Sequence, residues 1–180
     1  MLHDAEIVDR PWVKGDEISV APADFRKALG CFATGVTVVT TVDEEGNRVG
    51  LTANSFTSVS MDPPLVLWSL SRRSPNLGAF ERCQHFAINV LSNTQRDICS
   101  QFSRPVEDRF AGVEAIGGAS GVPTIAGAVA HFECEKEIVH AGGDHLIFVG
   151  RVNRFRWQER TPLVFCMGTL HELEVSQKNG

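Results

Sequence analysis

The 180 residues are 43% apolar and 22% charged, with a formal net charge of −5. Such a chain is long enough for one domain with a continuous core and has the composition of a soluble globular protein. The acidic balance argues against general nucleic-acid binding, no apolar run reaches membrane-spanning length, and Met1-Leu2-His3-Asp4-Ala5-Glu6 lacks a basic region followed by an apolar one, so a cytoplasmic location is expected.

Residues 1–20, mixed and acidic around a lone Trp12, read as an extended arm: a loose tail or a strap over a partner subunit. Pro22 opens a short helix over 22–29, where its missing N–H is harmless. Residues 36–42, rich in Val and Thr, read as a strand. Asp43-Glu44-Glu45-Gly46-Asn47 is the turn of a hairpin with 48–53. Then comes a run of small hydroxyl and amide residues, Thr52-Ala53-Asn54-Ser55-Phe56-Thr57-Ser58. Small residues let a large planar ligand approach the backbone, and their polar groups can bond its edge. Ser and Thr also fill ordinary turns.

After Pro63-Pro64, residues 65–70 form a buried strand, 75–82 one or two helical turns, and 85–91 another strand. Asn93 or Thr94 caps a helix running to about Phe102, with Ile98, Cys99 and Phe102 on one face. The Gly-rich stretch 104–123 reads as a loop with a helical turn near 107–110. Residues 129–139 and 146–156 are strands joined by the turn His140-Ala141-Gly142-Gly143-Asp144. Residues 163–170 give the last strand and 174–180 a fraying tail, which leaves 21–173 as the domain. Many short strands with few helices make a mainly β fold with flanking helices, a closed or nearly closed antiparallel barrel.

Cys31, Cys83, Cys99, Cys134 and Cys166 are odd in number, widely spaced and without a Cys-x-x-Cys pair. They read as reduced thiols, mostly core fillers, rather than a disulfide framework or zinc site. No Gly-x-Gly-x-x-Gly follows a strand, and Gly117-Gly118-Ala119-Ser120-Gly121 lies in a loop, so no Rossmann unit is indicated. Walker A and Gly-x-Ser-x-Gly motifs are absent. His140 and His145 flank a turn, which does not suit a metal pair. His85 and His131, alone in strands, read as packing.

As a string the chain is more specific. Thr34-Gly35-Val36-Thr37-Val38-Val39-Thr40-Thr41 is followed by the segment from Gly50 through Asn54-Ser55-Phe56-Thr57 to Pro63-Pro64. Next come Leu65-Val66-Leu67-Trp68-Ser69-Leu70, Ser71-Arg72-Arg73-Ser74 and Phe86-Ala87-Ile88-Asn89-Val90-Leu91. Asp108-Arg109-Phe110-Ala111-Gly112, Gly142-Gly143-Asp144-His145-Leu146-Ile147-Phe148-Val149-Gly150 and Pro162-Leu163-Val164-Phe165 complete the order. Over 24–173 this resembles the flavin reductase family, small NAD(P)H:flavin oxidoreductases with an FMN-binding, Greek-key split β-barrel.

The resemblance implies hydride transfer from NADH or NADPH to FMN or FAD, a homodimer, and a separate monooxygenase that receives the reduced flavin. It also implies a site. Thr34, Gly35, Val36 and Thr37 would pass under the flavin ring. Asn54, Ser55, Phe56 and Thr57 would bond the ring edge and ribityl chain, with Thr52 and Ala53 acting by being small. Ser69, Ser71, Ser74 and Arg72 or Arg73, with Arg72 favoured, would form the phosphate end, where a guanidinium fork suits a phosphate; adjacent arginines also suit a solvated turn. Phe102 and Ser103 would lie against the flavin, although Phe102 alone reads as core.

In Gly143-Asp144-His145, the resemblance gives His145 the catalytic position. It would bond the nicotinamide carboxamide or a diphosphate oxygen, or protonate reduced flavin. The bland reading is a histidine fixing the turn with Asp144 as its partner; Asp144 and Gly143 themselves read as structural. The chain lacks tyrosine and departs from many relatives over Phe165-Cys166-Met167-Gly168-Thr169-Leu170-His171, so no site residue is assigned there. Other readings are a flavin carrier of the same fold, a split-barrel oxidase acting on a pyridoxal-type substrate, and a barrel module for another apolar ligand.

Overall fold

β-Branched and aromatic residues dominate the strands of the computed structural model, which describes residues 11–18 and 22–173. A 3-10 turn, Gly15–Glu17, precedes α1 (Pro22–Gly30), β1 (Thr34–Gly35), β2 (Thr37–Val42), β3 (Arg48–Ala53), β4 (Thr57–Met61) and β5 (Pro64–Ser71). Then follow α2 (Leu77–Arg82), β6 (His85–Val90), α3 (Arg96–Ser103), β7 (Ala115–Gly117) and β8 (Pro123–Ile125). The chain closes with β9 (Ala130–Gly142), β10 (His145–Trp157), β11 (Leu163–Cys166) and β12 (Thr169–Glu172). Seven strands form one sheet in the order β3-β2-β6-β9-β10-β5-β4; β1-β11-β12 and β7-β8 form two small ones. All pairings are antiparallel. Among the described residues no helix is long and apolar enough to cross a membrane.

Two apolar clusters hold this arrangement. In the first, Trp68 is fully buried among Phe80, Phe86 and Phe148. It stacks on Phe148 at 4.9 Å and meets Phe80 edge-on at the same distance. Offset and edge contacts of this kind add to the burial of large apolar area. Gly150 belongs to this packing: a Cβ there would run into the Phe86 ring and lie 3.0 Å from Cys134 Cβ. The second cluster contains Val36, Val38, Leu91, Cys99, Phe102, Phe110, Ile125 and Leu163.

β2 lies between the two clusters, with Val39 in one and Val38 in the other, and so is buried on both faces. Its threonines survive burial because each hydroxyl finds a carbonyl. Thr37 Oγ1 donates to Ala53 O at 2.6 Å, Thr40 Oγ1 to Pro123 O at 2.5 Å and Thr41 Oγ1 to His85 O at 2.7 Å. The hairpin turn after β2 is closed by Asp43, whose Oδ1 accepts from the Glu45 and Asn47 amides.

Several sequence expectations change. The run after Asn54 continues as strand β4, laid along the edge of β5. Neither Asn93 nor Thr94 caps α3. Gln95 stands at that position, and its side chain accepts from Ser92 N and donates to Ala126 O. The expected loop 104–123 contributes β7, and with β8 makes a short hairpin. Around 107–110 the chain turns rather than coils, with Asp108 Oδ1 accepting from Phe110 N. The β9–β10 turn shrinks to Gly143-Asp144, because 140–142 stay paired in β9; Gly143 has φ +68°, which glycine adopts without strain. The expected last strand is a hairpin, β11–β12, reversed at Met167-Gly168 with both residues at positive φ, the twist a two-residue turn demands.

Cys99 and Cys134 are buried, Cys83 and Cys166 half-buried and Cys31 exposed, and all five are free. Burial pushes the Cys134 thiol up to about 12. Trp12 is exposed; the rest of the expected arm falls largely outside the described residues, as does the tail 174–180.

Candidate functional site

β4 pairs with β5 only as far as Leu67. Beyond that point β5 keeps β10 on one side, while its other edge faces the linker between β3 and β4. A cleft of about 590 Å³ opens along this seam, lined by Leu51, Thr52, Ala53, Asn54, Ser55, Ser69, Leu70, Ser71, Ser74, Gly142, His145 and Ile147. Its floor is aliphatic and its rim is small and polar. Among the described residues no carboxylate lines it, and the volume is in the range of small-molecule sites.

Ser55 laces the seam: its Oγ accepts from Ser69 N at 2.9 Å and donates to Ser69 O at 3.1 Å. Thr52 spends its hydroxyl on Cys99 O at 2.8 Å. Among the described residues the main-chain N–H groups of Asn54, Ser55 and Phe56 have no protein acceptor. They are donors that no ladder consumes. At the far end Ser71 Oγ accepts from Arg73 N and Ser74 Oγ from Asn76 N, both at 3.3 Å, which leaves each hydroxyl proton unspent.

His145 opens β10 directly across from Ser71 of β5. Its Nδ1 lies 2.7 Å from Asp144 Oδ1, and the ring is less than half exposed while the carboxylate is 87% exposed. The hydrogen bond from His145 holds the Asp144 carboxyl below the usual carboxylate range, with the imidazole's charge and Arg73 adding to it. Arg72 donates its main-chain N–H to Asp144 O at 2.9 Å and its Nε to Gly143 O at 3.0 Å.

The cleft therefore gathers Thr52, Ala53, Asn54, Ser55, Ser69, Ser71, Ser74 and His145. It leaves the other candidates aside. Val36 and Thr37 are buried in the second cluster and in β2, with Val36 N donating to Leu163 O and Val36 O accepting from Leu91 N. Thr34 and Gly35 form the short β1 against β11. Phe56 tilts onto Phe132 at 5.6 Å, and Thr57 sits in β4 opposite Leu67. Phe102 is core: it meets Phe110 edge-on at 5.0 Å and fills the space that a Cβ on Gly50 would need. Ser103 turns its hydroxyl to Ser100 O. Arg72 is engaged with the Gly143-Asp144 turn. The physical reason is common to these positions: local sequence places them near the motif, and strand pairing or burial then spends their polar or apolar surface elsewhere.

Leu51, Leu70, Gly142 and Ile147 line the cleft without having been singled out. Strand alternation could have signalled Ile147, which stands two residues beyond His145 on the same face of β10; Leu51 and Leu70 are immediate neighbours of Thr52, Ser69 and Ser71, and alternation gives no signal for them. Among the described residues no group of His, Cys, Asp and Glu is placed to hold a metal ion.

Residues 29–174 match the model of the flavin reductase like domain. The chain is 51% identical over 134 residues to a probable flavin reductase of Rhizobium meliloti, covering 74% of this chain and 43% of that protein's length. To the reductase subunit of a flavin-dependent monooxygenase of Rhodococcus jostii it is 39% identical over 157 residues, 87% of this chain and 80% of that one. An NADH:FAD oxidoreductase of Streptomyces globisporus, solved with NAD and FAD fragments, superposes with a TM-score of 0.84 at 34% identity, covering 95% of this chain and all of that one. The chain belongs to the flavin reductase like family.

Proposed function

We propose that the protein is an NAD(P)H-dependent flavin reductase that supplies reduced FMN or FAD to a separate monooxygenase. The observation that carries this reading is the seam cleft: an aliphatic floor, unspent amides and hydroxyls on the rim, and no lining carboxylate to repel an anionic ligand. Such a donor set fits a planar, polar-edged isoalloxazine with a phosphate tail, which would lie between the Asn54–Ser55 rim and Ser71 and Ser74. Bound flavin would supply the hydride acceptor, taking the hydride from the nicotinamide C4 at its N5.

The chain's own residues then have limited tasks. The Asn54 and Ser55 amides are fixed donors for a ring edge that gains negative charge, and fixed donors act without reorganising. Leu51, Leu70 and Ile147 exclude water from the floor. His145 presents Nε2, with Nδ1 held by Asp144, to the nicotinamide carboxamide N–H. Residues 21–173 would form the active unit, with 1–20 as an arm, and two copies would assemble as a homodimer. NADH is favoured as donor by the relatives' names, with NADPH the alternative.

Purified protein mixed anaerobically with NADH or NADPH and excess flavin is expected to bleach the flavin absorbance. No bleaching with either nucleotide, using FMN or FAD, rejects the proposal.

A further inference from the structure

The structure assigns Arg72 and Asp144 to a relay that positions the His145 ring: Arg72 fixes the Gly143-Asp144 turn, and Asp144 fixes the tautomer with which His145 meets the nicotinamide nucleotide. The turn has two main-chain carbonyls, and Arg72 holds both, through its N–H to Asp144 O at 2.9 Å and its Nε–H to Gly143 O at 3.0 Å. A two-residue turn anchored at both carbonyls cannot roll about its own axis. That fixes the direction in which the Asp144 side chain leaves the turn, and from there its Oδ1 lies 2.7 Å from His145 Nδ1, although the side chain is largely in water, where a carboxylate on an unfixed backbone would gain little by holding still.

The consequence is chemical. A carboxylate has only acceptor sites, so the Nδ1 facing it must carry the proton. The neutral ring then offers Nε2 as an acceptor on the cleft side, the complement of a donor such as a carboxamide N–H. Without Asp144 the neutral ring is free to place its proton on Nε2, and the same ring would meet that donor with another donor. Arg72 therefore acts two links away from the ligand, and a phosphate contact is not needed to explain its position.

The test begins without turnover. In ¹⁵N spectra of the full-length protein at alkaline pH, His145 is expected as the Nδ1–H tautomer, and Asp144→Ala as a mixture enriched in Nε2–H. Asp144→Asn, which can still accept through Oδ1, is expected to restore Nδ1–H. Arg72→Ala, which keeps the main-chain bond and loses the Nε one, should fall between. A wild-type spectrum already enriched in Nε2–H, or one indistinguishable from Asp144→Ala, overturns the relay.

The kinetic arm rests on the reductase reading. Asp144→Ala should raise KM for NADH or NADPH by about tenfold, the worth of one hydrogen bond, with KM for flavin within about twofold and Asp144→Asn close to wild type. An equal rise in both KM values would mean general damage to the cleft and rejects the positioning role. Absent turnover in wild type would instead sink the reductase reading and leave the tautomer result to decide the relay.

Discussion

The closed side of the sheet and its seam are built from similar residues and use them differently. Across β2, β6, β9 and β10, neighbouring strands pair continuously apart from local irregularities in β9–β10. Buried polar groups there close on protein partners: Asn89 Nδ2 donates to Val38 O, its Oδ1 accepts from Ile125 N, and His131 Nε2 donates to Ile125 O. At the seam β4 leaves β5 after Leu67, Ser55 stitches the gap, and three amides remain unspent. Thr40 and Ser71 thus have comparable hydroxyl chemistry and different fates. A polar group inside a complete ladder is already satisfied and has nothing left for a ligand; one beside an interrupted ladder remains available.

Breaking the apolar core behind the sheet should cost the most. Trp68→Ala removes the ring that Phe80, Phe86 and Phe148 pack against, and a loss of about 3–5 kcal/mol is expected in urea denaturation. A loss below about 1 kcal/mol would show that this cluster does not hold the fold. At the seam, His145→Ala should lower kcat/KM for the nucleotide by about a hundredfold and leave the denaturation midpoint in place. A parallel fall in stability would move His145 to the structural side of the comparison.

Ser55→Ala sharpens the boundary between the two, because the hydroxyl is a latch in the seam. It should cost about 1 kcal/mol of stability and weaken flavin binding severalfold in a fluorescence titration. Unchanged flavin affinity would show that the latch does not shape the cleft.

The smallest effect belongs to pH. Burial holds the His131 imidazole below its ordinary 6.5, with Arg156 adding to the fall, while its bond to Ile125 O and the charge of Glu133 oppose it. The unfolded chain therefore takes up a proton first as pH drops, so this contribution is complete above about pH 6.5 and declines below it. Denaturation midpoints measured from pH 8 to pH 5 should fall in that window, and His131→Gln should flatten the fall. An identical slope in the variant would place the titrating group elsewhere.

Much of the architecture was legible because it is periodic. Val and Thr at 37–42, the Asp43-Glu44-Glu45-Gly46 turn and the paired runs around Gly142-Gly143 announce hairpins through alternation and turn chemistry. Strand β4 was hidden because its Thr57-Ser58-Val59-Ser60 string has the composition of a loop. Only the edge of β5, which supplies its hydrogen bonds, makes it a strand. β7 is three residues long and depends in the same way on β8.

What the sequence by itself determined is the mainly β class and the hairpins, for which local composition suffices because turn preference and alternation act over a few residues. The ordered motifs added the family, and the resemblance they carry pointed to Thr52–Ser55, Ser69–Ser74 and His145. What only the tertiary structure decided is which polar atoms remain unspent. Val36 and Phe102 became core, Thr52 and Ser55 gave their hydroxyls to Cys99 O and the Ser69 backbone, and Arg72 closed on the Gly143-Asp144 turn. A hydrogen bond is made once, and its partner can stand tens of residues away in the chain, where no local pattern records it.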